Sequence, residues 1–323
     1  MTSSTGTRRA LMMAVPGLCL AGRAHAQQAE IAAQVEPPPE PPLITYELDA
    51  WVDEWGRPTA KVMLNGQGPF NFMVDTGSTT TVMASRLLER VGAQPIGATV
   101  VYGTTGVAEM PIASVRLLET GAVKKSDVTV AVLPDRGLGK EDGILGADVF
   151  AGKRLTFDIA GKSVKVETPA RSMIGMRRSN LRLRNGSLAE ISGRIGSVKA
   201  KLMLDTGGQK CIVNPKLEAM LKRAYPKMKR YDRARVIGVT GHVLTGSYLA
   251  LPTVEMEMIQ VHDAVVVAAD APIFKVWELE DEPAMIVGVE VLSRLAAFSI
   301  DYGAKYFDGV IAALMARNQM MVG

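Results

Sequence analysis

The tripeptide Asp-Thr-Gly occurs twice in this 323-residue chain, as Asp75-Thr76-Gly77 and Asp205-Thr206-Gly207, each closing an apolar run. The flanks read FNFMVDTGSTTTVM and AKLMLDTGGQKCIV. At ordinary residue usage one such triplet is expected roughly once in several thousand positions, so two copies in matching flanks are hard to ascribe to chance. Two carboxylates of this kind, brought face to face, are what acid-type peptide hydrolysis needs.

Other landmarks come after each triplet in the same order, which is the test of an internal repeat. Val101-Tyr102-Gly103-Thr104-Thr105-Gly106 comes after the first and Val236-Ile237-Gly238-Val239-Thr240-Gly241 after the second. Next comes an apolar pair closed by Gly, Ile144-Leu145-Gly146 and Ile286-Val287-Gly288. Each half then ends in a strand-like stretch with an Asp, LTFDIAGK around Asp158 and FSIDYGAK around Asp301. The order implies two homologous lobes.

The elements that must present the triplets can be read locally. FNFMV and KLMLD have the branched and aromatic character of buried strands, so each Asp stands where a strand leaves the core. Gly77 and Gly207 suit a sharp turn at unusual φ, and the Thr76 and Thr206 hydroxyls can lock it. The Gly-Thr-Thr-Gly and Gly-Val-Thr-Gly stretches suit hairpin tips over a cleft. The spacing predicts helices over 84–91 and 215–224.

With these residues in view, the chain resembles the aspartic peptidases of the pepsin and retropepsin clan, and specifically the two-lobed retropepsin-like proteases of bacteria. VDTGS with DGILG (142–146) after it matches one lobe of that clan closely, and Tyr102-Gly103-Thr104 resembles the pepsin flap. The resemblance covers most of residues 45–310, with the first lobe the better match. It implies a mainly β fold of two homologous acid-protease barrels with a cleft between them. Asp75 and Asp205 would share one proton, as in the pepsin dyad that serves as the general example. The ionised partner would activate a water and the protonated one would donate to the scissile carbonyl, with no metal or cofactor. Thr76, Gly77, Ser78, Thr206 and Gly207 would support the pair. Tyr102, Gly103, Thr104 and Gly238 would form flaps over a polypeptide substrate.

The second lobe departs from the pattern at Gly208 in place of Ser78, at Ile237 in place of Tyr102, and at Pro283-Ala284 before Met285. These departures suggest specialised lobes. They also motivate two alternatives, a homodimer using only the Asp75 lobe and a non-catalytic peptide-binding protein of the same fold. Other chemistries lack their residues. No His-Glu-x-x-His or Gly-x-Ser-x-Gly occurs, and no phosphate loop. Cys211, the one Cys outside the leader, reads as a small buried hydrophobe.

The ends of the chain and its charge bear on location and partners. Residues 1–26 have the Arg8-Arg9 start, apolar stretch and Ala24-His25-Ala26 site of an export signal, implying a periplasmic or secreted protein. Residues 27–44 read as a Pro-rich linker, 45–170 as the first lobe, 171–184 as a basic connector, 185–316 as the second lobe and 317–323 as a tail. A monomer without a membrane span after signal cleavage is expected. The formal charge is only +4, but residues 171–235 hold seventeen Lys or Arg against four Asp or Glu. That excess suits a solvated face and inter-lobe connector, or contact with an acidic partner, an acidic substrate or an anionic membrane; nucleic acid is not expected.

Overall fold

The computed structural model describes residues 45–311 apart from 49, 55, 170–176 and 258. The expected export signal (1–26), linker (27–44) and tail (317–323) lie outside the described residues.

The fold is mainly β, and its strands form two hydrogen-bonded networks, one of eight strands and one of fifteen. The strand Gln67–Asp75 carries the first triplet at its end. It buries Phe70, Phe72, Met73 and Val74, as a strand enclosed on both faces should. It runs parallel to Gly143–Gly146, with Asp75 opposite Gly146. The strand Val198–Leu204 leads into the second triplet and runs parallel to Ala284–Val287 in the same manner. In both halves the next short strand pairs antiparallel with that parallel partner: Val82–Ala84 with Gly143–Gly146, and Ile212–Val213 with Ala284–Val287.

Packing explains a glycine that only one half has. A Cβ on Gly143 would lie 2.2 Å from the Phe72 ring. The corresponding pair in the second half is Leu202 with Met285, a smaller side chain facing a larger one.

The strands around Asp158 and Asp301 join the halves. Arg154–Asp158 pairs antiparallel with Leu295–Asp301, placing Phe157 opposite Phe298 with rings stacked at 4.6 Å. Beneath them Arg154 is fully buried and meets Asp308 at 2.9 Å, with Glu167 and Asp301 at 3.6 and 3.8 Å. A buried cation is tolerable only because carboxylates surround it.

Two local expectations are revised. Pro215–Ala224 is a helix, capped by the Asn214 side chain on the Leu217 N–H at 2.9 Å and burying Leu217 and Leu221. The segment 84–91 is not; Ala84 belongs to a strand paired with Leu133, and only a 3-10 turn, Ser85–Leu87, comes after it. Its N-cap residue is Ala84, which has no side chain able to cap a helix start. Of the expected connector, residues 177–184 form a strand pairing with Tyr306–Ile311 and with Leu188–Ile195. Leu181 and Leu183 alternate with Arg182 and Arg184, a strand period masked by the arginines.

Candidate active site

The two Asp-Thr-Gly turns meet. The Thr76 N–H donates to Thr206 Oγ1 and the Thr206 N–H to Thr76 Oγ1, both at 3.1 Å. Each hydroxyl then donates across to the other strand, Thr76 Oγ1 to the Leu204 carbonyl at 2.9 Å and Thr206 Oγ1 to the Val74 carbonyl at 2.7 Å. All four bonds are buried. The threonines therefore lock the two turns to each other, not each turn to itself.

The glycines have a spatial reason to be there. A Cβ on Gly207 would lie 2.3 Å from Asp75 Cγ, and one on Gly77 would lie 2.7 Å from Asp205 Cγ. Each glycine thus leaves the space that the opposite carboxyl occupies. Neither has a left-handed φ, so close approach, not an unusual turn, demands glycine here. Gly146 and Gly288 extend the argument: a Cβ there would meet the Thr80 and Gly208 carbonyl oxygens, at 2.8 and 2.5 Å.

The two carboxyls are not equivalent. Asp75 Oδ1 accepts from the Gly77 N–H at 2.8 Å. Asp205 Oδ1 accepts from Gly207 at 3.0 Å and also from Gly208 at 2.8 Å. Burial pushes the Asp75 carboxyl well above the usual carboxylate range, and the neighbouring Asp205 charge pushes it further. Asp75 is half-buried by surface, yet protein encloses its carboxyl group closely enough for desolvation to dominate. Asp205, 7% exposed, is also raised by burial, but the Gly208 N–H and a hydrogen bond with Asp75 pull it back. Asp205 thus has one more N–H donor to stabilise its anion than Asp75 has. Arg57, held by Asp53 through Nε–Oδ2 at 2.7 Å, lowers both carboxyls. It lies outside both repeated motifs, and no sequence signal marks it.

The remaining expected residues fall in two places. The Ser78 hydroxyl donates to the Thr80 carbonyl at 2.8 Å, so it does not reach Asp75. Tyr102, Gly103 and Thr104 stand at the end of a hairpin made by Pro95–Gly103 and Gly106–Thr120. Gly238 opens the turn of a second hairpin, Arg230–Ile237 with Val243–Ala250. The two tips touch. A Cβ on Gly238 would lie 2.2 Å from Thr105 Oγ1, one on Gly106 2.3 Å from the His242 ring, and one on Gly103 3.0 Å from the Thr240 methyl. The second tip also reaches the turn at Gly137, where a Cβ would lie 2.3 Å from the Val239 carbonyl oxygen.

Pairing register decides which way the tip side chains face. Val101 is opposite Ala108, and both pack on the core; Tyr102 is opposite Val107 on the other face and is 52% exposed. Cys211 is buried beside the second turn, accepting from the Gly288 N–H at 3.2 Å. Burial pushes its thiol up to about 12, which leaves it inert at neutral pH.

Residues 60–149 match the family model for aspartyl proteases. The match includes the first triplet, the first hairpin and Ile144-Leu145-Gly146, and stops before the second triplet. No curated protein matches the chain. The family match supports a peptidase hydrolase in general.

Proposed function

We propose that the chain is an aspartic endopeptidase in which Asp75 and Asp205 form one catalytic pair within a single molecule. The observation that carries this reading is the reciprocal Thr76–Thr206 lock with the crossed glycines, which holds both carboxyls against each other in one chain. The matching strand pairings around the two triplets support two homologous lobes. Asp205, the anion with two N–H donors, acts as general base on a water between the carboxyls. Asp75, carrying the proton, donates to the scissile carbonyl oxygen as the water attacks. The carbonyl carbon becomes tetrahedral, and its collapse expels the amine with a proton from the pair. No covalent enzyme intermediate forms.

The touching tips must part to admit a polypeptide and close over it afterwards. The exported, monomeric state read from the sequence is part of the same proposal.

Cleavage of unfolded casein from acid to neutral pH tests the assignment. Wild type is expected to cut, and Asp75→Asn and Asp205→Asn are each expected to lose about 10³-fold or more. Retained cutting by Asp205→Asn alone would point to a dimer of first lobes. An inactive wild type that still binds peptides would point to a binding protein.

A further inference from the structure

One face of each hairpin tip is exposed, while the residues between pack on the core. Seven of the nine large apolar side chains exposed among the described residues lie on these hairpins. The second hairpin repeats the arrangement of the first. Val236 and Leu244 are paired and pack inward, whereas Ile237 and Val243 are paired on the other face. Ile237 and Val243 are 73% and 43% exposed, and Tyr102 and Val107 flank the first tip in the corresponding positions. Because the tips touch, the two outward pairs lie close to one another.

A run of cations leads to this apolar ridge. From 222 to 235 the chain holds seven Lys or Arg and one acid, Asp232. Lys222, Arg223, Lys227, Lys229, Arg233 and Arg235 are all exposed. Asp232 is already engaged by Arg230 at 3.5 Å, and Lys222 and Arg230 share Glu218. Arg235, paired with Thr245, is on the same face as Ile237 and Val243. The first hairpin offers one acid on its outer face, Glu109, opposite Val100.

We propose that the outer faces of these hairpin tips dock on an anionic lipid surface, with Ile237 and Val243 at the acyl boundary and the 222–235 cations among the headgroups. Such a surface satisfies both features at once, because a polybasic run and an apolar insertion together hold what neither holds alone. Tyr102 suits the interface, where an apolar ring and a polar hydroxyl each find their medium. A nucleic acid would leave the aliphatic pairs unused. A second copy would bring two like-charged 222–235 runs together. The proposal does not depend on whether the carboxyl pair hydrolyses peptides.

The test uses the full chain with a polarity-sensitive dye on Ile237→Cys in a Cys19→Ser background; Cys211 is too buried to label. The apolar stretch within 1–26 can partition by itself, so the dye reports the tip and not the leader. Vesicles of mixed phosphatidylglycerol and phosphatidylcholine are expected to shift the emission to the blue. Vesicles of phosphatidylcholine alone, and a control dye at Lys162→Cys, are expected to give no shift. With the dye at 237, Val243→Ser is expected to cut the fraction of tips showing the shift about threefold or more. Arg233→Gln and Arg235→Gln are expected to cut it roughly fivefold per charge at low salt. The proposal is overturned by an unshifted dye at 237, by an equal shift at 162, or by a shift at 237 that Val243→Ser, Arg233→Gln and Arg235→Gln leave unchanged. A lipid-free shift that grows with protein concentration also overturns it, since a second copy would then cover the face.

Discussion

Asp75 and Asp205 stand in the same tripeptide, on equivalent strands, yet their surroundings differ through the residue next to each triplet. After the first comes Ser78, whose N–H reaches only the Asp75 main-chain oxygen at 3.4 Å and whose hydroxyl turns to Thr80. After the second comes Gly208, whose N–H donates to the Asp205 carboxylate at 2.8 Å. A Cβ on Gly208 would lie 2.7 Å from Asp205 Oδ2, so its absence is what lets the carboxylate sit there. One residue outside the motif thereby breaks the symmetry of the pair by giving Asp205 a hydrogen-bond donor that Asp75 lacks. A repeated motif fixes where two groups stand, while its neighbours decide how they differ.

The crossed glycines give the largest test of that comparison. Gly207→Ala and Gly77→Ala should each displace the opposite carboxyl and cost about 10²-fold or more in kcat on unfolded casein. Gly207→Ala, with the closer contact, should be the worse and should act through Asp75. Equal, small losses would mean that the carboxyls are not where the contacts put them.

The threonine lock should be symmetric where the carboxyls are not. Thr76→Val and Thr206→Val each orphan a buried N–H and a buried carbonyl, at about 1–3 kcal/mol per group left unpaired. Denaturant unfolding should show similar losses for the two. A large difference would show that one turn holds itself.

The pH dependence of stability sharpens the difference. Both carboxyls are raised by burial, Asp75 the more strongly, so the folded state holds extra proton above the ordinary carboxylate range. That contribution is fully present below the unfolded pKa of about 3.9 and is lost as pH rises through the folded value. Asp75→Asn mimics the protonated form at every pH. Its melting temperature should therefore exceed that of wild type at neutral pH, with the gap closing towards acid. The gain should be smaller for Asp205→Asn, and the reverse order would move the proton to Asp205.

The smallest effects concern the residues after the triplets. Ser78→Ala should leave casein cleavage within about twofold, since only an exposed hydrogen bond is lost. Gly208→Ala should cost more, because its Cβ competes with Asp205 Oδ2 for space.

Much of the fold is legible along the chain. The apolar runs before Asp75 and Asp205 are buried strands, and Asn214-Pro215 starts a helix where its cap and first-turn proline require one. The ASRLLERV stretch misleads because its apolar spacing is helical while Ala84 is already committed to a strand. The arginines of 177–184 hide a strand because their charge masks the alternation. Arg57 and the orientation of Tyr102 leave no trace in the sequence, since both depend on which elements pack together.

The sequence by itself determined that two equivalent carboxyls would leave two buried strands at the same kind of turn, because motif, flank and order are local properties of the chain. Only the tertiary structure decided that each triplet's threonine bonds the other, that each glycine makes room for the opposite carboxyl, and that Tyr102 faces outward. Those facts depend on contacts between residues some 130 positions apart, such as Thr76 and Thr206. No local pattern encodes a distance across that separation; it is set when the two halves close on a shared set of strands.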